Sequence, residues 1–119
     1  MKRIFKNVMI PMLNISGGLK NCGGDEEKYL DLLRSYVIES GRLTEQIKTV
    51  EKNNLNAYAV IVRKIKKTSG IICAGPIQDL AEDLEMAAAG GHYEIVKEKT
   101  GDLIEAVAYL SRDINKTFT

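Results

Sequence analysis

Arg63, Lys64, Lys66 and Lys67 put four cations into a five-residue stretch of a chain that is otherwise nearly neutral. Guanidinium and ammonium groups grouped in this way hold carboxylate or phosphoryl oxygens through charge-assisted hydrogen bonds. On a helix, at about 100° per residue, Arg63, Lys66, Lys67 and Gly70 share one face, and Ala59 extends it toward the N-terminus. Lys64 points elsewhere. The small residues Ala59 and Gly70 leave the long side chains beside them open to a partner. The plain alternative is that these cations simply solvate the outside of a helix.

Other chemistry finds little support. A Ser–His–Asp or Cys–His arrangement would need His92, the single histidine, which lies in the turn-like AAAGGHYEIV far along the chain from Cys73. It is expected to be an exposed loop residue. There is no HExxH and no GxxxxGK loop. Two cysteines, Cys22 and Cys73, make neither a disulfide framework nor a thiolate metal site, and are expected to be free thiols. Asp79, Glu82, Asp83 and Glu85 fall on helix faces, where solvation and helix-pair interactions account for them. No metal, cofactor or catalytic residue is expected.

The composition bounds the function further. The 119 residues suit one domain, and 45% hydrophobic with 28% charged residues suits a chain that buries a core and stays in solution. A net charge of +1 excludes nucleic-acid binding by bulk charge. MKRIFKNVMIPML has a basic start, but Lys6, Asn7, Pro11 and Asn14 break its apolar run, so no signal peptide is expected. No run approaches the ~18–20 apolar residues of a membrane span, and a cytoplasmic location follows as the expectation.

The elements that must carry the basic face are helical. Residues 1–12 read as an extended lead-in, and 13–117 as the folded domain. Asn14 or Ser16 can cap a short helix that Gly23-Gly24 ends. Asp25 opens a longer helix with its acids in the first turn and Tyr29, Leu32, Leu33, Tyr36 and Val37 in one stripe. Gly41 is expected to weaken or kink it. After the polar break Lys52-Asn53-Asn54, Leu55, Tyr58, Val62, Ile65, Ser69 and Ile72 recur with the 3–4 spacing of a core seam. Gly75-Pro76 ends that helix and starts the next, lined by Ile77, Leu80, Ala81, Leu84 and Ala88 and closed by Gly90-Gly91. A last helix from about Tyr93 carries Ile95, Val96, Leu103, Ile104, Val107 and Leu110, with a dent expected at Thr100-Gly101. Short loops between long amphipathic helices predict an all-α, up-and-down four-helix bundle with a short N-terminal helix.

NCGGDEEKYLDLLRSYV, together with VRKIKKTSGIICAGPIQDLAEDLEMAAAGG, resembles the bacterial histidine phosphotransfer (HPt) domain of two-component phosphorelays, over nearly the whole chain from about Ile10 to Asn115. The resemblance implies an all-α bundle in which a surface histidine takes phosphate from a receiver aspartate and returns it to another. The family helix runs approximately V-H-x-L-K-G/S-S/A-S-x-x-I-G-A. Val62, Lys66, Ser69, Ile72 and Ala74 match it, and Ile65 and Thr68 are close substitutions. Arg63 stands where the family has its phosphoacceptor histidine, Lys67 where it has a small residue, and Cys73 where it has a glycine near the helix end.

The first departure removes the transfer chemistry. A neutral imidazole nitrogen can attack phosphorus near pH 7, whereas arginine, with a pKa above ~12, stays protonated and offers no lone pair. The resemblance therefore implies a pseudo-HPt domain that is not an enzyme. Its expected partner is the receiver domain of a response regulator or hybrid histidine kinase, with no nucleic acid and no membrane. Ala59, Arg63, Lys66, Lys67 and Gly70 would form the docking face: Arg63 near the aspartyl site, Lys66 on acidic oxygens, Lys67 at the rim. The alternative is a structural or dimerisation module that kept only the bundle.

Overall fold

Regular structure is entirely helical in the computed structural model, which describes residues 3–119. Five α-helices follow in order: α1 (Ile15–Asn21), α2 (Glu26–Ile47), α3 (Leu55–Ile71), α4 (Gly75–Ala89) and α5 (Tyr93–Phe118), with a single 3-10 turn over Lys52–Asn54 leading into α3.

The helix starts follow from side chains that satisfy orphan amide groups. Asn14 Oδ1 accepts from the Gly17 N–H at 2.9 Å, and Asp25 Oδ1 accepts from the Lys28 N–H at 3.1 Å. Glu26 and Glu27 add the negative charge that a helix N-terminus favours. The ends share one device. In α1, α3 and α4 the residue after the cap adopts positive φ: Gly23 at 65°, Cys73 at 65° and Gly91 at 75°. The two amides that follow each cap return to the last turn, as Cys73 N–H to Gly70 O and Ala74 N–H to Ser69 O do for α3. Two of these positions carry the glycine that favours this conformation, and the third carries a cysteine.

Gly41 and Gly101 interrupt nothing. α2 and α5 continue through them, because Ser40, Leu43, Thr100 and Leu103 beside them are buried, and tertiary packing outweighs the ~1 kcal/mol propensity penalty of glycine.

The long helices pack in a closed cycle: α2 on α3, α3 on α4, α4 on α5, and α5 back on α2. Tyr29, Leu33, Leu43 and Ile47 from α2 meet Val62 and Ile65 from α3, Ile77, Ala81 and Leu84 from α4, and Val96, Leu103, Val107, Leu110 and Ile114 from α5. Three tyrosines cross this core with their hydroxyls satisfied. Tyr29 Oη donates to the Ile72 carbonyl at 2.7 Å, Tyr36 Oη shares a hydrogen bond with Ser69 Oγ at 3.0 Å, and Tyr58 Oη lies 2.6 Å from Thr100 Oγ1. Burial pushes all three phenols up, Tyr36 to about 12 even against the lowering effect of its hydrogen bond with Ser69.

The N-terminal segment does not run straight. It turns at Asn7 and Met12, both with positive φ, and folds back so that Phe5 and Ile10 are buried. The Phe5 ring stands 5.2 Å from the rings of both Tyr29 and Phe118, and its N–H donates to Glu26 Oε1. Apolar burial decides this path, since an extended lead-in would leave Phe5 in water. Met1 and Lys2 of that lead-in lie outside the described residues.

Candidate functional site

The core seam of α3 sets the direction of its cations. Tyr58, Val62, Ile65 and Ser69 are buried, so the opposite side of the helix faces out. Arg63 and Lys66 emerge on the shoulder toward α4, where a carboxylate meets them. Arg63 donates from Nε to Glu85 Oε2 at 2.6 Å, and Lys66 donates from Nζ to Glu85 Oε1 at 2.6 Å. The two oxygens of one carboxylate are thus divided between two cations.

Exposure grades across this trio: the side chain of Glu85 is 14% exposed, that of Lys66 27% and that of Arg63 53%. The Lys66 and then the Arg63 hydrogen bonds hold the Glu85 carboxyl below the usual carboxylate range, against a smaller opposing effect of burial. Arg63 commits only Nε, and its terminal amines make no hydrogen bond among the described residues. Lys64 and Lys67 are exposed and have no ion-pair partner among the described residues.

The remaining members of the expected face take other positions. Gly70 is half-buried beneath the Gln78 side chain, and a Cβ built on it would come within 2.7 Å of Gln78 Nε2. Ala59 is half-buried against the core. Arg63 and Lys66 are brought together on Glu85; Lys67 is exposed and shares no ion pair with them among the described residues, and Gly70 is covered rather than open.

A second feature is a shallow groove of about 160 Å³ between α2 and α3. Leu32, Tyr36, Thr68 and Ile71 line it, and Ile71 is 56% exposed at its edge. Thr68 turns its hydroxyl inward to the Lys64 and Ile65 carbonyls, which leaves its methyl group to the groove.

The other candidates have structural surroundings. His92 precedes α5, exposed, with its ring against Gly90. Cys73 is half-buried at the end of α3, where Asn21 Nδ2 donates to its Sγ at 3.3 Å. Among the described residues no group of histidine, cysteine and carboxylate side chains is placed to hold a metal ion, and no helix is long and apolar enough to cross a membrane.

Glu85 is the residue that the spacing of α3 alone does not disclose. Its signal lies in the hairpin: Arg63 and Glu85 are each eleven residues from Ala74, so an antiparallel α3–α4 pair places them side by side.

Comparison with protein-family models, with curated proteins and with solved structures finds no match for this chain.

Proposed function

We propose that this chain is a pseudo-phosphotransfer module, a four-helix bundle of the HPt type with a short N-terminal helix, that binds a receiver domain in the cytoplasm without accepting phosphate. The observation that carries this reading is the place of Arg63. By the resemblance it stands where the HPt family has its acceptor histidine, and its side chain is half-exposed beside the buried Val62 and Ile65. The position is presented as a phosphoacceptor would be, but filled by a group that cannot act as a nucleophile.

Electrostatics favours an acidic partner. Three cations lie on or beside the face, Arg63, Lys66 and Lys67, and of the acids on α4 only Glu85 pairs with any of them among the described residues. Exposed charges of this kind contribute about 0.2–1 kcal/mol each and act mainly on the association rate. The groove at Ile71 supplies apolar surface next to them. Such a module would compete with true phosphotransfer domains for a receiver, or hold the receiver in one state. The alternative, a structural or dimerisation module, would be favoured by an apolar stripe on α2 or α5. The large apolar residues exposed on those two helices are Ile38, Ile95 and Tyr109.

The test is an NMR titration of isotope-labelled protein with receiver domains from the same organism, with and without a phosphoryl mimic. Shifts centred on Ala59 to Gly70 are expected. Absence of shifts with every receiver, or shifts confined to α5, would overturn the reading.

A further inference from the structure

Arg63 and Lys66 already hold an oxyanion, and it belongs to the chain itself. We propose that the two residues form a two-point receptor for a phosphoryl group, and that Glu85 is its resident competitor, which an incoming phosphoryl group displaces. The proposal rests on the docking face described above and deepens it, by naming the chemical class that the face selects.

The geometry points to this class. Glu85 presents two oxygens, each 2.6 Å from a different cation. A phosphoryl group presents oxygens in the same paired manner, and adds a third oxygen and a second negative charge. Both additions find a counterpart. The terminal amines of Arg63 are unbonded among the described residues, and the Lys67 ammonium is exposed one residue beyond Lys66 without an ion-pair partner among the described residues. A single carboxylate therefore leaves donors and positive charge unused, which a phosphoryl group would engage.

The exchange is also sterically open. Arg63 is half-exposed, and Glu82 and Met86, on either side of Glu85 in α4, are exposed, so the carboxylate has solvent to swing into. No packed core residue has to move. Glu85 thus sets a threshold: a lone carboxylate of a partner only exchanges like for like, whereas a dianionic phosphoryl group gains contacts. The face would discriminate a phosphorylated acidic surface from an unphosphorylated one.

The experiment uses the whole chain and inorganic phosphate as the probe, at constant ionic strength set with chloride. In the unmodified protein, phosphate should shift the Glu85 side-chain carboxyl resonance and the Arg63 Nε–H together and saturably, and acetate at equal concentration should not. Glu85→Gln, which keeps size and polarity, should bind phosphate at least tenfold more tightly, and Glu85→Gln with Arg63→Gln should lose that gain. A Glu85 resonance that ignores phosphate, or a Glu85→Gln protein that binds phosphate no better, would overturn the proposal. A receiver domain with and without a phosphoryl mimic forms the second arm, and separates a phosphoryl group on a partner from free phosphate. If free phosphate behaves as expected but no receiver binds, the oxyanion receptor stands and the receiver reading falls.

Discussion

Lys66 Nζ meets Glu85 Oε1 at 2.6 Å, so a lysine on the outward shoulder of α3 spends its charge on the neighbouring helix. With Arg63 on the other oxygen, the carboxylate ties α3 to α4. The folded protein holds the Glu85 carboxyl below its usual range. A depressed carboxyl contributes stability above the unfolded-state value near 4.5 and loses it as pH falls through the folded value. Glu85→Gln should therefore lower stability by about 1 kcal/mol at pH 7, as expected for ion pairs still open to solvent, and the gap should close on acidification. Urea unfolding of both proteins at pH 7, 5 and 3 measures it. A gap that stays constant down to pH 3 would mean that the bridge contributes through packing and not through charge.

Placing a histidine at position 63 tests the proposed pseudo-phosphotransfer reading. Arg63→His alone should not accept phosphate from a phosphorylated receiver. The imidazole would face the Glu85 carboxylate, which favours its protonated form, and the Lys67 ammonium would still crowd the approach. Arg63→His with Glu85→Gln and Lys67→Ser removes both obstacles and should yield an acid-labile phosphohistidine. Full transfer by the single substitution would refute these assignments to Glu85 and Lys67.

Much of the frame is legible in the residues. The seam from Leu55 to Ile72, the Asp25 cap and the Gly23, Gly75-Pro76 and Gly91 punctuation encode where α1 to α4 begin and end, because each is a local matter of period or capping. The Arg63–Glu85–Lys66 bridge is not local. It depends on the register of two helices, and any of four nearby acids on α4 could have met the cations. The path of Phe5 escaped for the same reason: its ring packs against Tyr29 and Phe118, both distant in sequence. The positive φ of Cys73 is not announced by the cysteine itself; its one hint is the glycine that the resemblance puts at that position.

That cysteine is a correctable strain. At φ 65° a side chain with a Cβ is disfavoured by about 1 kcal/mol, and Gly23 and Gly91 avoid the penalty at the equivalent positions of α1 and α4. Cys73→Gly gives up only a weak hydrogen bond from Asn21 to sulfur. It should raise stability by about 0.5–1 kcal/mol in urea unfolding. A loss instead would show that the thiol contact with α1 outweighs the strain.

Gly18 is the opposite case. It is buried, and a Cβ on it would lie 2.3 Å from the ring of Tyr29, which is itself fully buried and hydrogen-bonded to the Ile72 carbonyl. The ring cannot yield without breaking that bond. Gly18→Ala should therefore destabilise by about 1–3 kcal/mol, and it should do so through α1 and the end of α3 together. Amide exchange at Cys73 and Ala74 should accelerate with the loss. An unchanged exchange rate there would mean that α1 detaches alone.

Charge and apolar surface on the proposed docking face can be separated by one substitution each. Lys67→Glu reverses an exposed cation that makes no ion pair among the described residues, so it should leave stability nearly unchanged. It should slow association with a receiver and flatten the salt dependence, since exposed charges are screened over about 8 Å at physiological ionic strength. Ile71→Ser removes apolar surface, without adding charge, from a side chain that is 56% exposed at the groove edge. It should instead raise the dissociation rate and leave the salt dependence as it was, because apolar contact acts after encounter. Surface plasmon resonance at several salt concentrations reads both rates. If Lys67→Glu leaves the association rate untouched while Ile71→Ser abolishes binding, recognition is apolar and the cations of α3 serve only the fold and solvation.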